Sequence, residues 1–509
     1  MNTATRLAIV GGLLLSGPGL SLHAGTTIRR QQAQAAIAAR AGAADGLVSR
    51  LRQRIPELME QAGVQGVQIA VLSGGKTGWH GSFGLANAET KTPVTDASVF
   101  EAASLSKPVF AYAVLTLVDA GLIDLDTPIS KYLPGRYDVG DDARLDLITP
   151  RHVLSHRPGF PNWRSGSDPL KIHFTPGDRF SYSGEGFVYL AAAVERITGQ
   201  TLEAFMRRTV FEPLGMTSSS YVWQSRYESL KVYNHGLLGN LAGRRTPWRA
   251  NAAASLHTTA GDYARFVAAV LAGQGLRPAT ARALMSPQSR PDERGINTAT
   301  APPTGRPAPG VAWGLGWGLE QEGEDWRIWH WGDNGTTKAY VVASARRGAG
   351  VVLFANSENG LVLAPPIVAD VMGGESPAFA WLKQQGPTPA FGQFLSTLRA
   401  SGAGQALEAY RASRQARPTE PAIDEETMNR LGYVLLRGKK VKDAIEVFKQ
   451  NVADHPESWN VFDSLGEAYA TDGSTALAIE AYEQSLKLNP ANTGGAEALK
   501  KLRSGAGRD

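Results

Sequence analysis

Residues 101–110, EAASLSKPVF, set a hydroxyl and an amine three positions apart at the start of an apolar run. Residues three apart share one face of a helix, so a helix start here brings the Lys107 amine beside the Ser104 hydroxyl. This constrains the fold, because an ammonium inside an apolar element must be paired or must lose its proton. A neutral Lys107 is a base, and a neighbouring base is what turns a weak serine hydroxyl into a nucleophile. The same S-x-x-K spacing recurs at Ser73 to Lys76, with Gly74 and Gly75 between them, inside VQIAVLSGGKTGWHGSFG. That run reads as two strands joined by a turn. A two-glycine hairpin tip does not hold two side chains on one helical face, so the second copy is read as a solvated turn.

Beyond Glu101 the apolar positions Val109, Tyr112, Ala113, Leu115, Leu117 and Val118 predict a largely apolar helix to Ala120. Thr149 followed by Pro150 predicts a capped helix. In FSYSGEGF, residues 180–183 are extended and a helix follows from Glu185 to Thr198, which leaves Tyr182 at a junction from which a phenol points into a cleft. Further helices are expected over 201–216 and, after Thr258-Thr259, over 260–271, and 287–309 reads as a surface loop. Strands are then expected over 314–319, 326–331, 338–345 and 350–356, with short turns that make an antiparallel meander. His330-Trp331-Gly332 falls at the end of one of them.

Several kinds of chemistry are excluded or disfavoured. The chain has no cysteine, which removes thiol nucleophiles, cysteine zinc sites and iron–sulfur clusters. Its nine histidines form no H-E-x-x-H, so no metal and no cofactor is expected. A net charge of +5 is spread without dense basic runs, a poor signature for nucleic acid. No G-x-S-x-G occurs, which argues against an α/β-hydrolase elbow. Residues 1–24 carry Arg6, an apolar run and small residues up to Ala24, the pattern of a secretory signal peptide. The expectation is an exported, periplasmic or secreted protein without an integral membrane segment after cleavage; an uncleaved anchor is the alternative.

EAASLSK, HRPGFP, FSYSGEGF, GLGW and HWGDNG, in this order, resemble the serine β-lactamase and penicillin-binding-protein-like family, in particular class C-type β-lactamases and related esterases. The resemblance implies an α+β fold, an antiparallel sheet flanked by helices with a helical subdomain. It also implies a serine acyl-enzyme mechanism: Ser104 as nucleophile, Lys107 as its base, Tyr182 as proton shuttle, and the backbone N–H groups of Ser104 and Asp333 as oxyanion hole. His330, Trp331, Gly332 and Gly184 match the positions that contact substrate. Three of these depart from the family pattern. Glycine replaces asparagine at Gly184, and histidine and tryptophan replace lysine and a hydroxyl residue at His330 and Trp331. The groups that would bind a β-lactam carboxylate are therefore changed, and an ester or amide without a carboxylate there is expected, with Trp331 as an apolar contact. β-Lactamase or D-amino-acid peptidase activity on the same site is the alternative. Glu185, at a helix start, reads as structural.

The C-terminal part differs in kind. Gly432 and Gly466, Ala444 and Ala478, Phe448 and Tyr482, and Pro456 and Pro490 are each 34 residues apart, which resembles tetratricopeptide repeats. The expected organisation is a signal peptide over 1–24, a flexible lead over 25–45, a hydrolase domain over 46–372, a linker over 373–389 and an all-α repeat domain over 390–505. Such repeats imply a protein or peptide partner, or docking on the chain's own catalytic domain. A catalytically weak scaffolding protein acting through them is the non-enzyme alternative.

Overall fold

The structure, a computed structural model, describes residues 45–505 apart from 136, 167, 297, 301, 302 and 421. The expected signal peptide 1–24 and the lead up to residue 44 lie outside the described residues. The described residues divide into two units between residues 52 and 53. The described residues of the first, 45–52, are helical; everything that follows belongs to the second.

One antiparallel sheet of eight strands organises this unit. In chain order the strands are β1 (Gly66–Ser73), β2 (Lys76–Asn87), β3 (Thr92–Pro93), β4 (Val311–Trp313), β5 (Gly318–Glu322), β6 (Asp325–Asp333), β7 (Lys338–Ser344) and β8 (Ala349–Ala355). Their spatial order is β3-β2-β1-β8-β7-β6-β5-β4. The N-terminal hairpin thus pairs with the last strand, Val67 facing Ala355 and Leu72 facing Gly350. The expected meander is present with one difference. Residues 314–317 interrupt it between β4 and β5, where Gly316 has φ of 85° and a Cβ at that position would lie 2.2 Å from Ala111 Cβ.

The tip between β1 and β2 carries Gly74 and Gly75 at φ of 59° and 75°. Two left-handed residues in a row make a tight turn that glycine adopts without cost. The second S-x-x-K therefore straddles a hairpin, its Ser73 and Lys76 exposed.

Side chains alternate across a strand, and the two faces of the sheet meet different partners. Ala339, Val341 and Ala343 of β7 join a large core with Phe110, Phe187, Tyr263 and Trp317. The intervening Tyr340 stacks on Phe379 at 4.7 Å. Helix α1 (Ser106–Asp119) lies inside that large core, with every residue from Ser106 to Leu115 buried. A helix apolar all round belongs in an interior. Helix α2 (Pro150–Leu154) begins on the expected Thr149 cap, α3 (Gly184–Thr198) on a Ser183 cap, and α4 (Ala260–Leu271) on a Thr259 cap. The stretch expected as a linker, 373–389, contains helix α5 (Pro377–Leu382), whose Phe379 and Trp381 are buried.

The C-terminal region is all-α. Helices Glu425–Arg437, Val441–Asp454, Trp459–Asp472 and Thr475–Leu488 follow one another with short turns. A Cβ on Gly432 would lie 2.4 Å from Phe448 Cε1, and one on Gly466 3.1 Å from the Tyr482 ring. In both pairs the glycine lets an aromatic ring lie against the backbone of the neighbouring helix. This region packs onto the sheet-bearing part of the same unit. Leu237 shares a core with Phe394, Leu398 and Leu407, the Arg399 guanidinium donates to the carbonyls of Gly63 and Leu237, and Arg430 Nη2 donates to Asn359 Oδ1 at 2.8 Å.

Candidate active site

The helix expected from Glu101 begins later. Glu101 ends a two-residue strand, Ala103–Leu105 form one 3₁₀ turn, and α1 starts at Ser106. Ala103 has φ of 49°, a left-handed conformation that strains a residue with a Cβ. Several bonds hold this turn in place. Tyr263 Oη donates to Leu105 O at 2.9 Å, Tyr221 Oη to Ser106 O at 2.6 Å, and Leu256 N to Ser106 Oγ at 3.0 Å. The nucleophile candidate sits on backbone fixed from outside the helix.

Lys107 Nζ donates to Ser104 Oγ at 3.0 Å and to Ala253 O at 2.9 Å. Its side chain is fully buried, and burial pushes the amine well below the ordinary lysine range. Desolvation penalises the ammonium, so the neutral amine is favoured and its lone pair is available to the serine proton. The Tyr182 ring faces the amine, with Nζ 4.7 Å from its centroid. An aromatic face stabilises a cation, so the ammonium formed when Lys107 takes a proton has a counterpart.

Tyr182 is 2% exposed. Burial pushes its phenol far above the ordinary tyrosine range; the Ser104 hydroxyl works the other way and is outweighed. Oη lies toward Ser104 without completing a hydrogen bond of ordinary geometry, so the buried hydroxyl is unpartnered. It is a protonated phenol poised to donate or relay.

Behind Tyr182 stand two neutral imidazoles. His156 stacks on its ring at 4.1 Å, and its Nδ1 accepts from Ser183 N at 3.0 Å. Burial first, then Lys107 and His330, push its pKa well below the usual value. His330 is fully buried and pushed down to about 3 by burial and by Lys107. Trp331 is 7% exposed and packs on Tyr182 at 4.9 Å and on Trp329 at 5.8 Å. His330 and Trp331 therefore form a wall behind the tyrosine, and the open apolar contact expected of Trp331 is reduced to a narrow edge.

Gly332 brings β6 against the nucleophile turn. A Cβ there would lie 2.4 Å from Ala102 O and 3.2 Å from Ala103 Cβ, so only glycine allows this approach. Asp333, the residue expected to give an oxyanion amide, ends β6 one position further on, and its carboxylate pairs with Lys338 Nζ at 2.6 Å. Gly184 opens α3, its amide donating to Asn162 Oδ1 at 3.0 Å. Glu185 accepts from Arg164 Nη2 at 3.2 Å, a structural pair as its position suggested.

Sequence reasoning missed a buried polar cluster at Glu101, three residues before Ser104. Glu101 Oε1 accepts from Asn234 Nδ2 at 3.2 Å and faces Lys231 Nζ at 3.8 Å, and Oε2 accepts from Asn334 Nδ2 at 3.0 Å. Burial works against the carboxylate, yet Lys231, Asn334, His257 and Asn234 together hold its pKa below the ordinary value. Burial takes Lys231 down to about 8, against the pull of Glu101. Glu101 stood in the EAASLSK motif without a role, and nothing in one sequence links it to Asn334. Trp163 was also missed; its indole lies 5.8 Å from Lys107 Nζ and is 44% exposed. Among the described residues no group of acidic, histidine or cysteine side chains is arranged to hold a metal ion.

A protein-family profile described as beta-lactamase matches residues 51–367. Penicillin-binding protein 4* of Bacillus subtilis strain 168 is 30% identical over 172 residues, covering 30% of this chain, and the chain spans only 37% of its length. Esterase EstB of Burkholderia gladioli is 26% identical over 327 residues, covering 54% of this chain and 80% of the esterase. Among solved structures, the octameric penicillin-binding protein homologue from Pyrococcus abyssi has a TM-score of 0.52 at 22% identity, covering 67% of this chain and 78% of its own. D-alanine carboxypeptidase AmpC from Burkholderia cenocepacia has a TM-score of 0.53 at 20% identity, covering 64% of this chain and 100% of its own. These two likenesses concern the fold.

Proposed function

Because this chain belongs to the beta-lactamase family, we propose that it is an exported serine hydrolase that cleaves an ester or amide of a small or peptide-like substrate through an acyl-enzyme on Ser104. The observation that carries this reading is the 3.0 Å bond between Lys107 Nζ and Ser104 Oγ around a fully buried amine. Ser104 Oγ attacks the carbonyl carbon while Lys107 takes its proton, and Tyr182 passes a proton on to the leaving alcohol or amine. Water then attacks the acyl carbon, Lys107 and Tyr182 serve again in reverse, and Ser104 regains its proton as the acid departs. The amides of Ser104 and Asp333 hold the developing oxyanion. Export rests on the composition of residues 1–24.

The substrate reading favours esters and amides without a carboxylate beside the scissile bond. A neutral His330, with its pKa down at about 3, and an indole at Trp331 offer no cation where a carboxylate would sit. Peptidase or β-lactamase activity, suggested by the names of the carboxypeptidase and the penicillin-binding protein, has less support on this ground. The paired helices from residue 425 onward are read as tetratricopeptide repeats that dock on the catalytic part and present their other faces to a peptide or protein partner.

The test is labelling with a fluorophosphonate and turnover of p-nitrophenyl acetate, both expected to vanish in Ser104→Ala. Labelling at another residue, or turnover unchanged in that variant, would overturn the reading. Rapid hydrolysis of nitrocefin would overturn the substrate preference.

A further inference from the structure

Gly184 has no room for a side chain, and the reason is Trp163. A Cβ at residue 184 would lie 2.8 Å from Trp163 Cη2, 2.9 Å from Trp163 Cζ3 and 2.8 Å from Asn162 O. The indole thus fills the space that a side chain at the helix start would take. It borders the reacting groups, with Lys107 Nζ 5.8 Å from its ring centroid.

The segment carrying Trp163 is fastened on both sides. Ser183 Oγ donates to Pro161 O at 2.9 Å, and the amides of Gly184 and Glu185 donate to Asn162 O at 3.0 and 3.1 Å. On the other side Arg164 N donates to Glu185 Oε1 at 3.2 Å, while its guanidinium pairs with Asp138 at 2.5 Å and Glu185 at 3.2 Å. A large ring on a segment fastened this way, with its edge against the Gly184 backbone and 44% exposed, leaves much of its apolar surface uncovered. Such a ring is preorganised for a ligand that covers it, and an aromatic or hydrocarbon group gains most from doing so.

We propose that Trp163 is the floor of the acyl-group subsite and that the enzyme selects substrates whose acyl group is apolar, uncharged and large enough to cover the indole, such as phenylacetyl, over acetyl. This rests on the hydrolase reading only for the choice of substrates; the subsite itself is a matter of binding. Arg164 and Glu185 are positioning residues that hold the floor. The selectivity resides in the indole face, so a phenyl ring keeps most of it and a methyl group loses it.

The experiment compares wild type with Trp163→Ala and Trp163→Phe, with melting temperatures as a folding control. Kcat/KM is measured for p-nitrophenyl phenylacetate and p-nitrophenyl acetate, and binding of phenylacetamide and acetamide by calorimetry. Wild type is expected to prefer the phenylacetyl compounds about 10-fold or more in both assays, as one well-buried aromatic contact implies. The preference should collapse in Trp163→Ala and persist within about 3-fold in Trp163→Phe. Gly184→Ala, which drives a methyl into the indole, should also reduce it. An equal loss for both esters, or a preference unchanged in Trp163→Ala, overturns the subsite. Trp163-dependent preference in binding without turnover of either ester leaves the subsite standing and overturns the hydrolase reading.

Discussion

Glu101 and Asn334 lie 233 positions apart in the chain and are joined by a 3.0 Å hydrogen bond from Asn334 Nδ2 to Glu101 Oε2. Glu101 lies two residues before the turn that carries Ser104, and Asn334 follows Asp333, the last residue of β6. The bond therefore ties the strand that carries one proposed oxyanion amide, that of Asp333, to the turn that carries the other, that of Ser104. Backbone donors contribute to rate only when held where charge develops, and this bond spans the two pieces that hold them.

Asn334→Ala is expected to lower kcat about 10-fold or more while KM for p-nitrophenyl acetate stays within about 2-fold, since a loosened oxyanion amide is felt mainly in the transition state. Glu101→Gln is the harsher change because it leaves Lys231 buried beside a neutral amide. Stopped-flow kinetics and thermal melting separate the two effects. A drop in kcat of Asn334→Ala matched by a proportional rise in KM would contradict the positioning role.

Tyr182→Phe should separate activity from stability. The hydroxyl is buried without a completed hydrogen bond, and a buried unpartnered polar group costs about 1–3 kcal/mol. Its removal is expected to leave the melting temperature unchanged or raised. Activity should fall about 100-fold or more, as befits a general acid–base group. A variant that melts lower and hydrolyses normally would show Tyr182 to be packing alone.

Acid should destabilise the folded chain through His330. Folded His330 stays neutral down to about pH 3, whereas the unfolded side chain takes its proton near pH 6.5. Between those values the unfolded state binds more protons, so stability is present above pH 6.5 and is lost as pH falls toward 3. One such group contributes a slope of about 1.4 kcal/mol per pH unit in the middle of that window. Urea unfolding of wild type and His330→Gln between pH 6 and 4 is expected to differ in slope by about this amount. Parallel curves would mean that His330 titrates alike in both states.

The fold and the pairing of Ser104 with Lys107 were legible in the sequence where chemistry is local. Ser104 and Lys107 meet because three residues of near-helical backbone bring them together, and the Thr149 and Thr259 caps lie where a hydroxyl residue precedes a helix start. The start of α1 was misread because nothing in EAAS announces that Ala103 turns left-handed. The residues just after it are held by Tyr221, Tyr263 and Leu256, more than a hundred residues away. The surroundings of Trp331 were misread for a related reason. Its exposure depends on Trp313 and Trp381, which arrive from β4 and α5, and on Trp329 of its own strand. The role of Trp163 depends on the absence of a side chain at Gly184, a relation between two segments that neither reveals alone.

The helical pairs offer a prediction whose magnitudes are ordered by geometry. Gly432 and Gly466 hold equivalent places, but a Cβ would meet Phe448 at 2.4 Å and Tyr482 only at 3.1 Å. The first contact is closer than carbon atoms tolerate, and the second needs a shift of a few tenths of an ångström. Forcing an extra methyl into a packed interior costs about 1–3 kcal/mol, partly offset by the better helix propensity of alanine, about 1 kcal/mol. Gly432→Ala is therefore expected to destabilise by about 1–2 kcal/mol, with Gly466→Ala near neutral. Phe448→Leu, which removes the ring that meets the methyl, should reduce the cost of Gly432→Ala in a double-mutant cycle. Equal losses at the two glycines, or no coupling between positions 432 and 448, would mean that the aromatic rings do not set the spacing of these helices.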